Sequence, residues 1–121
     1  MKRQKYYRGQ VYYIDSEGGG YTGCEQGGER PAVIVSNDVG NGYSSIVEVV
    51  FLSTKKKKPL PTHVEINSAK RPSIALCEQI QTVSQERIGS YISEVTQSEL
   101  QRIEKALLIS LDISTDERRT K

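Results

Sequence analysis

Apolar positions fall into short runs and alternations up to about residue 93 and then recur every three or four residues, the pattern of several strands followed by one helix. Gln10-Val11-Tyr12-Tyr13-Ile14 reads as a first strand and Ala32-Val33-Ile34-Val35 as a second, with a polar, glycine-rich loop from Ser16 to Glu29 between them. Asn37 to Ser44 carries turn chemistry. Ile46-Val47-Glu48-Val49-Val50-Phe51-Leu52 is apolar and β-branched enough to be a well-buried strand. It runs into Ser53-Thr54, then Lys55 to Lys58, then Pro59-Leu60-Pro61. Thr62 to Ile66 alternates, with Val64 and Ile66 on one face and His63 and Glu65 on the other. Ile74 to Val83 gives a long strand after the turn at Arg71-Pro72-Ser73, so five strands precede any helix.

The change of period has a clear start signal. Thr96-Gln97-Ser98-Glu99 forms a capping box, in which the threonine hydroxyl accepts from the Glu99 backbone and the glutamate reaches back to the threonine amide. Leu100, Ile103, Leu107 and Leu111 then make one apolar stripe, opposite Gln101, Arg102, Glu104 and Lys105. Asp112 to Lys121 loses the pattern and reads as a charged, frayed tail.

Composition narrows the class without deciding it. A chain of 121 residues is one domain, long enough to bury a core unaided. Lys and Arg number 17 against 15 Asp and Glu, and a net charge of +2 does not by itself announce a nucleic-acid binder. No run reaches the length of a membrane span, and Met1-Lys2-Arg3-Gln4-Lys5-Tyr6-Tyr7 has no apolar stretch behind it, so the expected compartment is the cytoplasm. Cys24 and Cys77 lack metal-ligand spacing, and a reduced pair is expected there.

The densest chemical signal is Gly23-Cys24-Glu25-Gln26-Gly27-Gly28-Glu29-Arg30-Pro31, a glycine loop that ends in an arginine ahead of a buried strand. Arg30 is permanently cationic and presents a planar fork of donors suited to phosphate. The plainer alternative is a glycine hairpin with Arg30 solvated. His63 is the sole histidine and the obvious candidate for proton transfer, because histidine titrates nearest neutrality.

Four blocks carry a resemblance. Arg8-Gly9-Gln10-Val11-Tyr12, Glu25-Gln26-Gly27-Gly28-Glu29-Arg30-Pro31-Ala32-Val33-Ile34-Val35-Ser36-Asn37, Leu60-Pro61-Thr62-His63-Val64 and Ala75-Leu76-Cys77-Glu78-Gln79-Ile80 together resemble the MazF/PemK family of toxin endoribonucleases, in the family's order. The similarity runs from about Arg8 to Leu111, the core of a single domain over 1–121 whose residues 112–121 form the tail. It implies a mainly β fold, an SH3-like β-barrel with a C-terminal helix. It also implies a homodimeric cytoplasmic toxin that cuts single-stranded RNA at short sequence motifs without metal or other cofactor, neutralised by a cognate antitoxin.

The resemblance also implies the site. Arg30 matches the family's catalytic arginine, and the second catalytic position, a hydroxyl at the end of the third strand, falls on Ser53 or Thr54. Neighbouring strand residues face opposite sides, so only one of the two points into the groove; Ser53 is the favoured equivalent. Lys55 and Lys56, with the rest of the lysine run, are candidates for backbone phosphates. Tyr21 offers a stacking face, while Glu25, Gln26, His63 and Gln79 are candidates for RNA contacts. The alternative on the same fold is a CcdB-like gyrase poison, whose relatives rely on a tryptophan-bearing C-terminus; this chain has no tryptophan.

Overall fold

The computed structural model describes residues 5–15 and 29–115. Its strands are β1 (Gln10–Asp15), β2 (Glu29–Ile34), β3 (Ile46–Ser53), β4 (His63–Ile66), β5 (Ser73–Ser84) and β6 (Ile88–Glu94), with a short helix α1 (Asp38–Tyr43) and a long one, α2 (Gln97–Ser110). The strands form one antiparallel sheet in the order β4-β5-β3-β2-β1-β6. Its ladder ends at two edges, β4 and β6, and is not closed by hydrogen bonds.

Strict alternation along the central strands buries both faces. Val11, Val33, Val50 and Leu52 join Val64, Ile66, Ala75 and Cys77 on the first face, which α2 covers with Ile103 and Ala106. Tyr12, Ile14, Ala32, Ile34, Val49 and Phe51 make up the second. Ile103 is fully buried, so truncating it to alanine costs on the order of 2–5 kcal/mol.

The approach to β1 needs glycine. Gly9 holds φ at +94°, donates to the Ile34 carbonyl at 2.8 Å and accepts from Val95 N–H at 2.9 Å, joining β1 to the end of β2 and to the entry of α2. Arg8 beside it donates from Nε to the Val35 carbonyl at 3.0 Å and from Nη1 to Glu104 of α2 at 2.6 Å. The capping box is present: Glu99 N–H donates to Thr96 Oγ1 at 3.1 Å and Thr96 N–H to Glu99 Oε1 at 2.9 Å.

Two elements differ from the sequence reading. Asn37 to Ser44, expected as turn, contains α1, capped by the Asn37 side chain accepting from Gly40 N–H at 2.6 Å. The segment before α2 holds a sixth strand, β6, paired with β1.

Candidate functional site

Arg30 sits within β2 rather than ahead of it, level with Ile14 of β1 and half-buried. Its guanidinium carbon lies 4.5 Å from the centroid of the Phe51 ring, and Phe51 is itself buried. The geometry follows from pairing. Ala32 faces Phe51 at the last paired position of the β2–β3 ladder, and by strand alternation Arg30 and Ser53, each two residues further on, share that face. The ion pairs among the described residues are Arg8–Glu104 and, when the imidazole is protonated, His63–Glu78, so Arg30 makes none among them.

Ser53 ends β3 half-buried and accepts from Lys55 N–H at 3.1 Å, a bond that starts the turn into the lysine run. Thr54, one residue on, opens to the opposite face. It lines a cavity of about 200 Å³ with Tyr13, Pro31, Leu52, Lys70 and Arg71. Alternation along β2 and β3 puts Arg30 and Ser53 on one face, while Thr54, just past the end of β3, reaches the cavity on the other. Lys55 and Lys56 are exposed and border a shallow surface shared with Ser53, Thr54 and Asn67.

His63 has structural duties. Its side chain is only 9% exposed, with Nδ1 against the Lys58 carbonyl at 2.8 Å and Nε2 against Glu78 Oε2 at 3.1 Å. Thr62 donates to the other Glu78 oxygen at 2.9 Å. Partial burial pushes the Glu78 carboxyl up, but its own backbone N–H, the His63 ring and the Thr62 hydroxyl outweigh this and hold it below the ordinary carboxylate range. The triad anchors the end of the lysine run to β5. Gln79 is exposed on β5. Tyr21, Cys24, Glu25 and Gln26 lie outside the described residues.

With that geometry in place, the comparisons identify the family: the model of the PemK-like, MazF-like toxins of type II toxin-antitoxin systems matches residues 7–111. The chain belongs to this family. It is 37% identical over 109 residues to endoribonuclease EndoA of Bacillus subtilis, an alignment covering 86% of this chain and 92% of that protein. A solved endoribonuclease from a mycobacterial species superposes with a TM-score of 0.79 at 26% identity, covering 96% of this chain and all of the other. A second mycobacterial endoribonuclease, in complex with its cognate antitoxin, gives 0.77 at 29% identity over 92% of this chain and 99% of that one.

Within this MazF-like chain, Cys77 is buried, and burial together with the Glu78 charge pushes its thiol up to about 12, an inert packing residue. Among the described residues no three His, Cys, Asp or Glu side chains converge as a metal group requires. No described helix is long and apolar enough to cross a membrane. Sequence reasoning missed Phe51 as the ring beneath Arg30, passed over Lys70, and read Arg71 only as part of a turn. The one available signal for that pair of cations was their adjacency just before Pro72.

Proposed function

We propose that this chain is a type II toxin that acts as a metal-independent endoribonuclease on single-stranded RNA, with Arg30 stabilising charge at the reacting phosphate and Ser53 assisting. The observation that carries the reading is the Arg30 guanidinium held over Phe51 and free of ion pairs among the described residues; continuing the β2–β3 register beyond Ala32 and Phe51 puts Ser53 on the same face. Metal-free cleavage passes a proton from the 2′-hydroxyl, forms a bond from that oxygen to phosphorus, and releases the 5′-oxygen with a proton, leaving a 2′,3′-cyclic phosphate. Negative charge accumulates on the non-bridging oxygens during the step, and preorganised guanidinium donors are suited to it. The Ser53 hydroxyl serves as a second donor to the same phosphate. Thr54 is the weaker candidate, because the pleat turns it away from Arg30.

Lys55 and Lys56 supply a salt-sensitive attraction for the RNA backbone. His63 contributes by fixing the lysine run, and Gln79 by hydrogen bonding to RNA. Tyr21, Glu25 and Gln26, outside the described residues, are assigned to RNA contacts on the family resemblance alone. A cognate antitoxin is the expected protein partner, by analogy with the mycobacterial relative in complex with its own. The toxin is taken to be a cytoplasmic homodimer, since its RNA substrate is there and the family similarity implies a dimer.

The SH3-like barrel also belongs to this reading. Tyr13 of β1, Pro31 of β2, Leu52 of β3, Ser73 of β5 and Ile92 of β6 all border one cavity of about 200 Å³. In a flat sheet, strands in that order would spread over roughly 19 Å. Contact with one small cavity supports a sheet rolled with its first face inward. A CcdB-like gyrase poison is not favoured: the match over residues 7–111 is to the PemK-like and MazF-like toxins, and the chain lacks tryptophan.

Incubating the purified protein with a long RNA in EDTA tests the proposal. Discrete fragments ending in cyclic phosphate are expected; intact RNA, with gyrase inhibited instead, overturns it.

A further inference from the structure

The cavity on the face opposite Arg30 has the lining of a nucleobase pocket. Tyr13, Pro31, Leu52 and Ile92 make much of its lining apolar, and its volume of about 200 Å³ suits one planar heterocycle rather than a helix or a folded peptide. Aromatic and apolar faces of this kind take an unstacked RNA base, and hydroxyls at the edge read its donors and acceptors. Three lining residues carry hydroxyls, Tyr13, Thr54 and Ser73. Ser73 is 6% exposed and its hydroxyl donates to the Arg71 carbonyl at 2.8 Å, which leaves its oxygen lone pairs free to accept from a base N–H.

The mouth is electropositive. Lys70 and Arg71 share the lining, both are exposed, and among the described residues no acidic side chain lines the cavity. The shallow groove between β4 and α2 differs: Arg102 and Lys105 there share the lining with Glu65, which weakens its claim on a polyanion. A base in the cavity would leave its phosphate beside two cations, one of them a guanidinium fork.

Position ties the cavity to the candidate cleavage site. Pro31 follows Arg30 in β2 and Thr54 follows Ser53, so the two faces are one residue apart, about 3.8 Å between Cα atoms. An RNA strand would meet both by wrapping around this end of β2 and β3 from one face of the sheet to the other. We propose that the cavity is a subsite for one ribonucleotide flanking the cut bond, its base against Tyr13 and Pro31 and its phosphate on Lys70 and Arg71. The subsite rests on the RNA-cleaving reading of the chain, and Thr54 becomes a residue that selects the base rather than one that touches the reacting phosphate.

Methyl-labelled protein titrated with an RNA carrying a 2′-O-methyl group at the cut position tests the subsite without requiring cleavage. The methyl signals of Leu52, Thr54 and Ile92 are expected to shift, and Arg30→Ala should leave those shifts in place while abolishing cutting of unmodified RNA. Lys70→Gln with Arg71→Gln, both at exposed positions, should raise KM at least tenfold with kcat nearly unchanged. Thr54→Val should change the preferred base at one position beside the cut. Cavity methyls that stay unmoved by RNA overturn the subsite. So does a double variant with unaltered KM, or shifts produced by a free ribonucleoside monophosphate or an acidic peptide but not by RNA. Absence of cleavage by the wild-type protein, with the methyl shifts intact, would instead count against the nuclease reading alone.

Discussion

The guanidinium of Arg30 rests over the ring of Phe51, with Cζ 4.5 Å from the ring centroid. A cation above an aromatic face is attracted by the ring quadrupole, by about 2 kcal/mol where water is largely excluded. Phe51 also caps the second core face, so one side chain links packing to the placement of the candidate catalytic cation. Phe51→Leu keeps an apolar residue of similar bulk but removes the ring. The expected outcome is a kcat lowered about tenfold with KM little changed, set against a modest loss of stability on the order of 1 kcal/mol. Steady-state kinetics and a denaturant melt on the same sample check both halves.

The pleat gives Ser53 and Thr54 separate consequences. Ser53→Ala should lower kcat about 10- to 100-fold, the scale of losing one secondary donor at the reacting phosphate. Thr54→Val should lower kcat less than Ser53→Ala does, within about threefold, its effect falling on KM and on base preference because Thr54 lines the cavity rather than the Arg30 face. Single-turnover cleavage of one defined oligonucleotide separates the two. A Thr54→Val loss larger than that of Ser53→Ala would exchange their roles.

Glu99 gives the fold an acid-sensitive joint. It is 5% exposed, accepts from Asn67 N–H at 2.7 Å and from Thr96 N–H at 2.9 Å, and takes the Ser68 hydroxyl, tying the loop after β4 to the start of α2. Burial pushes this carboxyl up, but the Ser68 hydroxyl and the backbone N–H groups of Thr96, Asn67 and Ser68 together hold it below its ordinary range. A group lowered in the folded state stabilises above its unfolded value of about 4.3, and that stabilisation is lost as pH falls through the lower folded value. Urea melts from pH 7 to pH 2 should show stability falling through this window. Glu99→Gln should flatten that fall and cost about 1–3 kcal/mol at pH 7, because a charge-assisted acceptor for buried N–H groups is gone.

The lysine run should act at a distance. Replacing Lys55 to Lys58 with glutamine should flatten the dependence of RNA affinity on salt, since every phosphate that a lysine no longer neutralises keeps its counterion on binding. His63→Ala, which cuts the tie between Lys58 and Glu78, should raise KM more than it lowers kcat. Binding of uncleavable RNA at several salt concentrations reads the first effect, and initial rates read the second.

Much of the architecture was legible because its signals are local. β3 reads as a strand from its own apolar run, and α2 from the Thr96–Glu99 capping box and the stripe of Ile103 and Leu107. β6 was not, because Ile88-Gly89-Ser90-Tyr91-Ile92-Ser93-Glu94 is an edge strand, largely exposed, and pairs with β1 through an irregular register. α1 hid for another reason. Gly40 and Gly42 give it poor helix propensity, and it is held by tertiary bonds: Asn41 Nδ2 to the Ser36 carbonyl at 3.1 Å and Gln85 Nε2 to the Asn41 carbonyl at 2.8 Å.

The same division runs through the candidate site. Arg30 stands out in the linear sequence, because a glycine loop, a cation and an apolar strand are adjacent in the chain. The ring beneath it is 21 residues away and becomes visible only through the β2–β3 pairing. Ser53 and Thr54 cannot be told apart without knowing which face Arg30 occupies, and Lys70 and Arg71 acquire meaning only from the cavity they border.

Cleavage of a long RNA in EDTA by Arg30→Ala, beside wild-type protein of matched stability, tests the central claim most directly. Removal of one preorganised donor to a charge-bearing phosphate should slow cutting on the order of 100- to 1000-fold while RNA binding stays within about tenfold. An Arg30→Ala protein that cuts the same positions at the wild-type rate would contradict it.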